Sequence, residues 1–149
     1  MTGLATLLLV EDNPDDEVIL LRALGKHPLA RDLAIARSGE QALDYLLGEG
    51  PYAGGAAPML PALVLLDLRL PGIDGLEVLR RIRGHPRTRL LPVVVLTSSV
   101  EPEDVVRCYE AGANSYIRKP VDFARYAEMT RVLELYWLTI NESVGRSPL

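Results

Sequence analysis

The stretch LVLLDLRLPGIDG, residues 63–75, decides the fold. Leu63 to Leu66 is apolar without alternation, which suits a strand covered by helices on both faces of its sheet. An acid, Asp67, follows at once. Asp74 with Glu77 three positions on then opens a helix that ends near Gly84. A buried strand running through a short turn into a helix is half of a βα crossover, so a parallel sheet is predicted.

The same unit recurs to either side. Ala5 to Val10 reads as strand 1. Asn13 then caps a helix with Pro14 at its first position and Asp15 and Asp16 in its first turn, running to about Lys26. Leu33 to Ala36 is a weaker strand 2; Ser38 and Gln41 form a capping box opening helix 2, which Gly48 ends. The segment GEGPYAGGAAPMLP, residues 48–61, reads as a surface excursion within one domain. Val93 to Leu96 forms strand 4, Pro102 to Gly112 helix 4, the more polar Ser115 to Arg118 strand 5, and Phe123 to Asn141 helix 5. A weak strand 2 and a polar strand 5 suit the edges. The predicted fold is therefore α/β, a doubly wound parallel sheet of order 2-1-3-4-5, with ligands expected at the carboxyl ends of strands 1 and 3.

Composition fits one domain over residues 1–149, with a core of about 5–141: 48% of the residues are hydrophobic and 24% charged. A net charge of −4 argues against nucleic acid as a partner, since such binding needs an excess of Lys and Arg. The lone Cys108 cannot form an internal disulfide, which fits a reducing cytoplasm. The apolar run Leu4 to Val10 has no basic residues ahead of it, unlike a secretory signal, and no segment is long enough to span a membrane. A cytoplasmic protein with no membrane partner is expected.

What stands just past the strand ends carries chemistry: Glu11 and Asp12, then Asp67, Thr97, and the pair Lys119-Pro120. Each alone has an ordinary structural role as a cap, a strand end or a solvated charge. Together they place three carboxylates in one crevice, where they repel unless cations offset them. Lys119 and a divalent ion would do so. Oxygen-only ligands favour a hard cation such as Mg²⁺ over zinc.

LLLVEDNPDD (7–16), LVLLDLRLPGIDG (63–75), PVVVLTSS (92–99) and GANSYIRKP (112–120) resemble the receiver domains of bacterial response regulators, with the flavodoxin-like (βα)5 fold. The resemblance covers about residues 5–141 and implies a role for each matching position. Asp67 is the phosphoacceptor; Asp12 is a Mg²⁺ ligand with Glu11 assisting, and the Arg69 backbone carbonyl is another. Thr97 and Lys119 bind the phosphoryl group, Tyr116 is the switch aromatic, and the Lys119–Pro120 peptide is cis. The donor is a phosphohistidine on a sensor histidine kinase, and the only chemistry catalysed is transfer to, and slow hydrolysis from, Asp67. Arg69 and Ser99 stand where the family tunes phosphoryl lifetime. The long loop with Gly50-Pro51-Tyr52, the stretch HPRTRLLPVVVLTSS (85–99) and Tyr136-Trp137-Leu138 look like the small response regulators paired with bacterial phytochrome kinases.

Other classes fit less well. A pseudo-receiver, or a phosphorelay intermediate acting only as a binding module, shares the fold, but the acidic set here is complete. An aspartate-based phosphatase wants a second Asp where Arg69 stands. A flavin-binding relative would not place Glu11 and Asp12 against a phosphate.

His27 and His85 precede prolines and read as loop residues, and Cys108 reads as a packing thiol. The apolar residues of helix 5 span about half its circumference, more than a one-sided surface helix needs. Phe123, Tyr126, Leu133 and Trp137 are assigned to the sheet. Met129, Val132, Tyr136 and Ile140 are assigned to a partner face, expected to form a homodimer. After helix 5 only ESVGRSPL remains, too short for an output domain, so output through partner binding is expected.

Overall fold

A computed structural model describes residues 7–24, 33–55 and 59–144. Five parallel strands, β1 (Leu7–Val10), β2 (Leu33–Ala36), β3 (Leu63–Leu66), β4 (Val93–Thr97) and β5 (Ser115–Arg118), form one sheet in the order β2-β1-β3-β4-β5. Between and after them run α1 (Pro14–Leu24), α2 (Gly39–Leu47), α3 (Gly75–Gly84), α4 (Pro102–Glu110) and α5 (Phe123–Leu135). This is the predicted flavodoxin-like arrangement. Ala5, Lys26 and His27, the expected start of strand 1, end of helix 1 and a loop histidine, lie outside the described residues.

Local chemistry sets the helix starts. Asn13 Oδ1 accepts from the Asp15 and Asp16 N–H groups, Asp74 Oδ1 from Glu77 N–H, and Asp122 Oδ1 from Ala124 N–H. Each satisfies donors that a helix leaves unpaired in its first turn. The box at helix 2 is shifted by one residue: Ser38 Oγ accepts from Gln41 N–H, but the Gln41 side-chain oxygen Oε1 takes the Arg37 N–H. Gly48 ends α2 at φ 69°, a left-handed conformation that costs glycine little.

Side chains alternate across the sheet and build two cores. Leu8, Val10, Val64, Leu66, Val93 and Val95 face α2, α3 and α4, where Leu43, Leu79, Ile82 and Cys108 meet them. Leu7, Leu9, Leu63, Leu65, Val94 and Leu96 face α1 and α5, against Leu20, Leu24, Tyr126 and Leu133. The central strands β1, β3 and β4 are buried throughout; β2 and β5 are only partly buried, as the edge assignment requires.

Helix 5 departs from its predicted course. The α-helix stops at Leu135, and Tyr136–Ile140 form one π-helical turn. The Thr139 hydroxyl bonds to the Leu135 carbonyl, and the Asn141 N–H reaches back to the Tyr136 carbonyl. Phe123, assigned above to the sheet, is half exposed, because it opens the helix beyond the strand ends. Met129, assigned to the partner face, is partly buried against the core.

A close backbone approach lies at the start of α3. A Cβ on Gly75 would stand 2.3 Å from the Asp67 carbonyl oxygen and 2.7 Å from Leu68 Cα. Both neighbours are backbone, so no side chain can swing aside. Gly75→Ala is expected to destabilise the fold by about 1–3 kcal/mol, the usual range for overpacking. An unchanged urea midpoint would mean that the turn after β3 yields at no cost.

Candidate functional site

Parallel register aligns the strand ends. Val10 lies beside Leu66, and the Asp67 N–H donates to the Val10 carbonyl, so Glu11 and Asp67 leave the sheet together. Thr97 lies beside Arg118, and the Lys119 N–H donates to the Thr97 carbonyl at 2.7 Å. The crevice at the β1–β3 reversal therefore collects residues from all four loops.

Lys119 sits at its centre. Its Nζ lies 2.8 Å from Glu11 Oε1, 2.7 Å from Asp16 Oδ2 and 3.0 Å from Asp67 Oδ2, with its side chain only 7% exposed. Burial works against the ammonium charge, but the hydrogen bonds it donates to Asp16 and Glu11 and the charge of Asp67 outweigh it, holding the lysine protonated well above its ordinary range. Burial, with Asp67 adding to it, pushes Glu11 up to about 7 against the pull of Lys119.

Glu11, Asp12 and Asp67 each bring an oxygen within 4.8 Å of the others; Glu11 and Asp67 are buried and Asp12 is exposed. This all-oxygen set could hold a divalent metal ion. With Asp16 nearby, four acids face one lysine, so a further cation fits the charge.

Backbone groups orient Asp67 and Glu11. The Arg69 N–H donates to Asp67 Oδ1 at 3.1 Å, and the Asn13 N–H to Glu11 Oε2 at 3.1 Å. Thr97 is fully buried and its hydroxyl oxygen accepts from the Ser99 N–H at 3.3 Å. The Arg69 guanidinium turns to α4, donating to Asp104 Oδ2 at 2.7 Å and Ser99 Oγ at 3.3 Å. Ser99 Oγ also donates to Asp104 Oδ2, at 2.5 Å.

Tyr116 stands apart from the acids, beside this second network. Its hydroxyl is buried without a hydrogen-bond partner among the described residues, and burial holds the phenol above its usual range. The cis Lys119–Pro120 bond implied by the resemblance is corrected: no peptide bond among the described residues is cis. The backbone bond from Lys119 to Thr97 fixes where the lysine leaves β5. His85 holds a turn, its Nδ1 accepting from Arg87 N–H. Burial, with Asp104 adding to it, pushes the Cys108 thiol up to about 11, which suits a packing group.

Two acids in these networks were not singled out from sequence. In sequence, Asp16 reads only as a charge suiting a helix N-terminus, and Asp104 carries no assigned role. A signal existed for Asp16: it lies one turn into the helix that begins at the carboxyl end of β1, on the ligand side of the sheet.

Sheet order, strand-end acids and buried lysine together define a receiver, and the chain belongs to the response regulator receiver domain family, whose model matches residues 7–131. Its similarities are narrower still. The probable methanogenesis regulatory protein FilR2 of Methanothrix harundinacea is 43% identical over 140 residues, 93% of this chain and 87% of its own. The response regulator Rcp1 of Synechocystis is 36% identical over 132 residues, 89% of this chain and 88% of its own. The Mn²⁺-bound structure of Rcp1 superposes with a TM-score of 0.84 at 34% identity, covering 93% of this chain and 98% of that one. The phosphorylated cyanobacterial phytochrome response regulator RcpA gives 0.86 at 33%, covering 95% and 99%.

Proposed function

We propose that this receiver takes a phosphoryl group from the phosphohistidine of a sensor histidine kinase onto Asp67, and that the kinase is of the phytochrome type. The single observation carrying this is the buried Lys119 ammonium 3.0 Å from Asp67 Oδ2, inside a cluster of acids. A carboxylate oxygen of Asp67 attacks phosphorus, the phosphorus–oxygen bond forms, and the phosphorus–nitrogen bond breaks with its electron pair returning to the histidine. Lys119 and the Thr97 hydroxyl receive charge on the phosphoryl oxygens. Asp12 and Asp67, with Glu11 assisting and the Arg69 carbonyl, would hold Mg²⁺, which offsets the remaining negative charge. The domain catalyses only this transfer and the slow hydrolysis of its own acyl phosphate, and works in the cytoplasm. The likeness to RcpA and Rcp1 supports the phytochrome pairing. Wild-type protein given a small phosphodonor and Mg²⁺ should carry one acyl phosphate by mass spectrometry and lose it with a chelator present during loading. Equal labelling without a divalent ion would remove the metal from the scheme.

Signalling then rests on a change in the partner-binding face. Val132, Leu135, Tyr136 and Ile140 are all about half exposed or more on α5 and its π-helical turn. Covering such a patch stabilises association by roughly 25 cal/mol per Å², enough for a small symmetric dimer after ordering costs. Val132→Glu with Tyr136→Glu should give a folded monomer that still accepts phosphate. A wild type that sediments as a monomer at about tens of micromolar, with and without a phosphoryl analogue, would rule the dimer out.

A further inference from the structure

We propose that Asp16 is a positioning residue: it holds one donor of Lys119 away from an incoming phosphoryl group and ties the chemical state of Asp67 to the first turn of α1. The inference rests on Asp67 being the phosphoacceptor. A lysine ammonium has three donors, and here Glu11, Asp16 and Asp67 occupy them all, at 2.8, 2.7 and 3.0 Å. A phosphoryl oxygen beyond Asp67 therefore gains Lys119 only by competing with carboxylates that already hold it.

The three do not give way equally. Glu11 is 1% exposed and Asp67 7%, so neither finds water if the lysine leaves. Asp16 is 26% exposed, and water can take the place of the ammonium. It also sits on a different element. Its N–H is bonded to Asn13 Oδ1 in the cap of α1, and α1 packs through Leu20 and Leu24 against Tyr126 and Leu133 of α5. Drawing Lys119 toward a phosphoryl group thus frees the first turn of the helix that abuts α5. Removing the Asp16 charge does two things: it frees one lysine donor and makes the crevice less repulsive to an incoming dianion.

The test compares Asp16→Asn with wild type in the presence of acetyl phosphate and Mg²⁺, with Asp15→Asn removing an equivalent helix-end charge that makes no contact with Lys119. Asp16→Asn should be phosphorylated about tenfold faster, Asp15→Asn at the wild-type rate, and Asp16→Glu, which keeps the carboxylate, close to wild type. A merely structural role would slow the reaction instead. The second readout is backbone amide NMR with beryllofluoride and Mg²⁺. Wild-type amides of residues 15–17 should shift together with that of Thr97; in Asp16→Asn the Thr97 shift should remain while the α1 response shrinks. A slower or unchanged Asp16→Asn, or a wild type whose Thr97 amide moves while residues 15–17 do not, would overturn the role of Asp16 and leave the acceptor assignment standing. A wild type with no adduct and no Thr97 shift would overturn the acceptor assignment itself.

Discussion

Asp67→Asn is expected to abolish the phosphoryl adduct, with no label by mass spectrometry after incubation with a phosphodonor and Mg²⁺ that loads the wild type fully. An amide lacks the nucleophilic carboxylate oxygen, and its geometry makes matters worse. Asp67 Oδ1 accepts from the Arg69 N–H and Oδ2 from Lys119 Nζ, so both partners are donors. An asparagine must turn its own donating NH₂ toward one of them. The conflict is buried but confined to one side chain, so the fold should persist at a cost of about 1–3 kcal/mol. Full labelling of the variant at another acid would sink the assignment of Asp67.

Lys119→Ala is expected to do more damage to the metal-free protein. Deleting one partner of a buried ion pair leaves uncompensated charge, with a typical cost on the order of 3 kcal/mol. Here Glu11, Asp16 and Asp67 lose their shared cation together. Part of that loss is relieved when Glu11, already held up to about 7 by burial, takes a proton. Mg²⁺ should recover much of the rest by binding the same oxygens. Urea denaturation in chelator and in excess Mg²⁺ reads both effects: a large drop in midpoint in chelator, and a smaller one with the metal. The same variant should fail to pass phosphorylation on to Tyr116, since the lysine contact with the phosphoryl group is gone. Equal midpoints for variant and wild type in chelator would mean that Lys119 offsets none of the acids' repulsion.

The sequence by itself determined the order of elements and the sheet. The uninterrupted apolar runs at Leu63–Leu66 and Val93–Leu96 have nowhere to go but the centre of a sheet covered by helices on both faces, and the caps at Asn13, Ser38 and Asp74 act over two or three residues. The acids and the lysine were legible for the same reason. Once strands lie parallel, whatever follows each carboxyl end meets at one edge, so Glu11, Asp12, Asp67 and Lys119 could be placed in one crevice from spacing and type.

Only the tertiary structure decided how those groups share partners. That Asp16 holds Lys119, and that Arg69 turns to Asp104 and Ser99, depends on residues 103 and 35 positions apart, a separation at which no local periodicity carries information. Helix 5 teaches the same lesson. Its apolar pattern was plain, but which residues meet the core depended on where the helix begins relative to the sheet: Phe123 is left half exposed and Met129 packs inward. Pattern selects a face, and only packing against distant elements settles what that face touches.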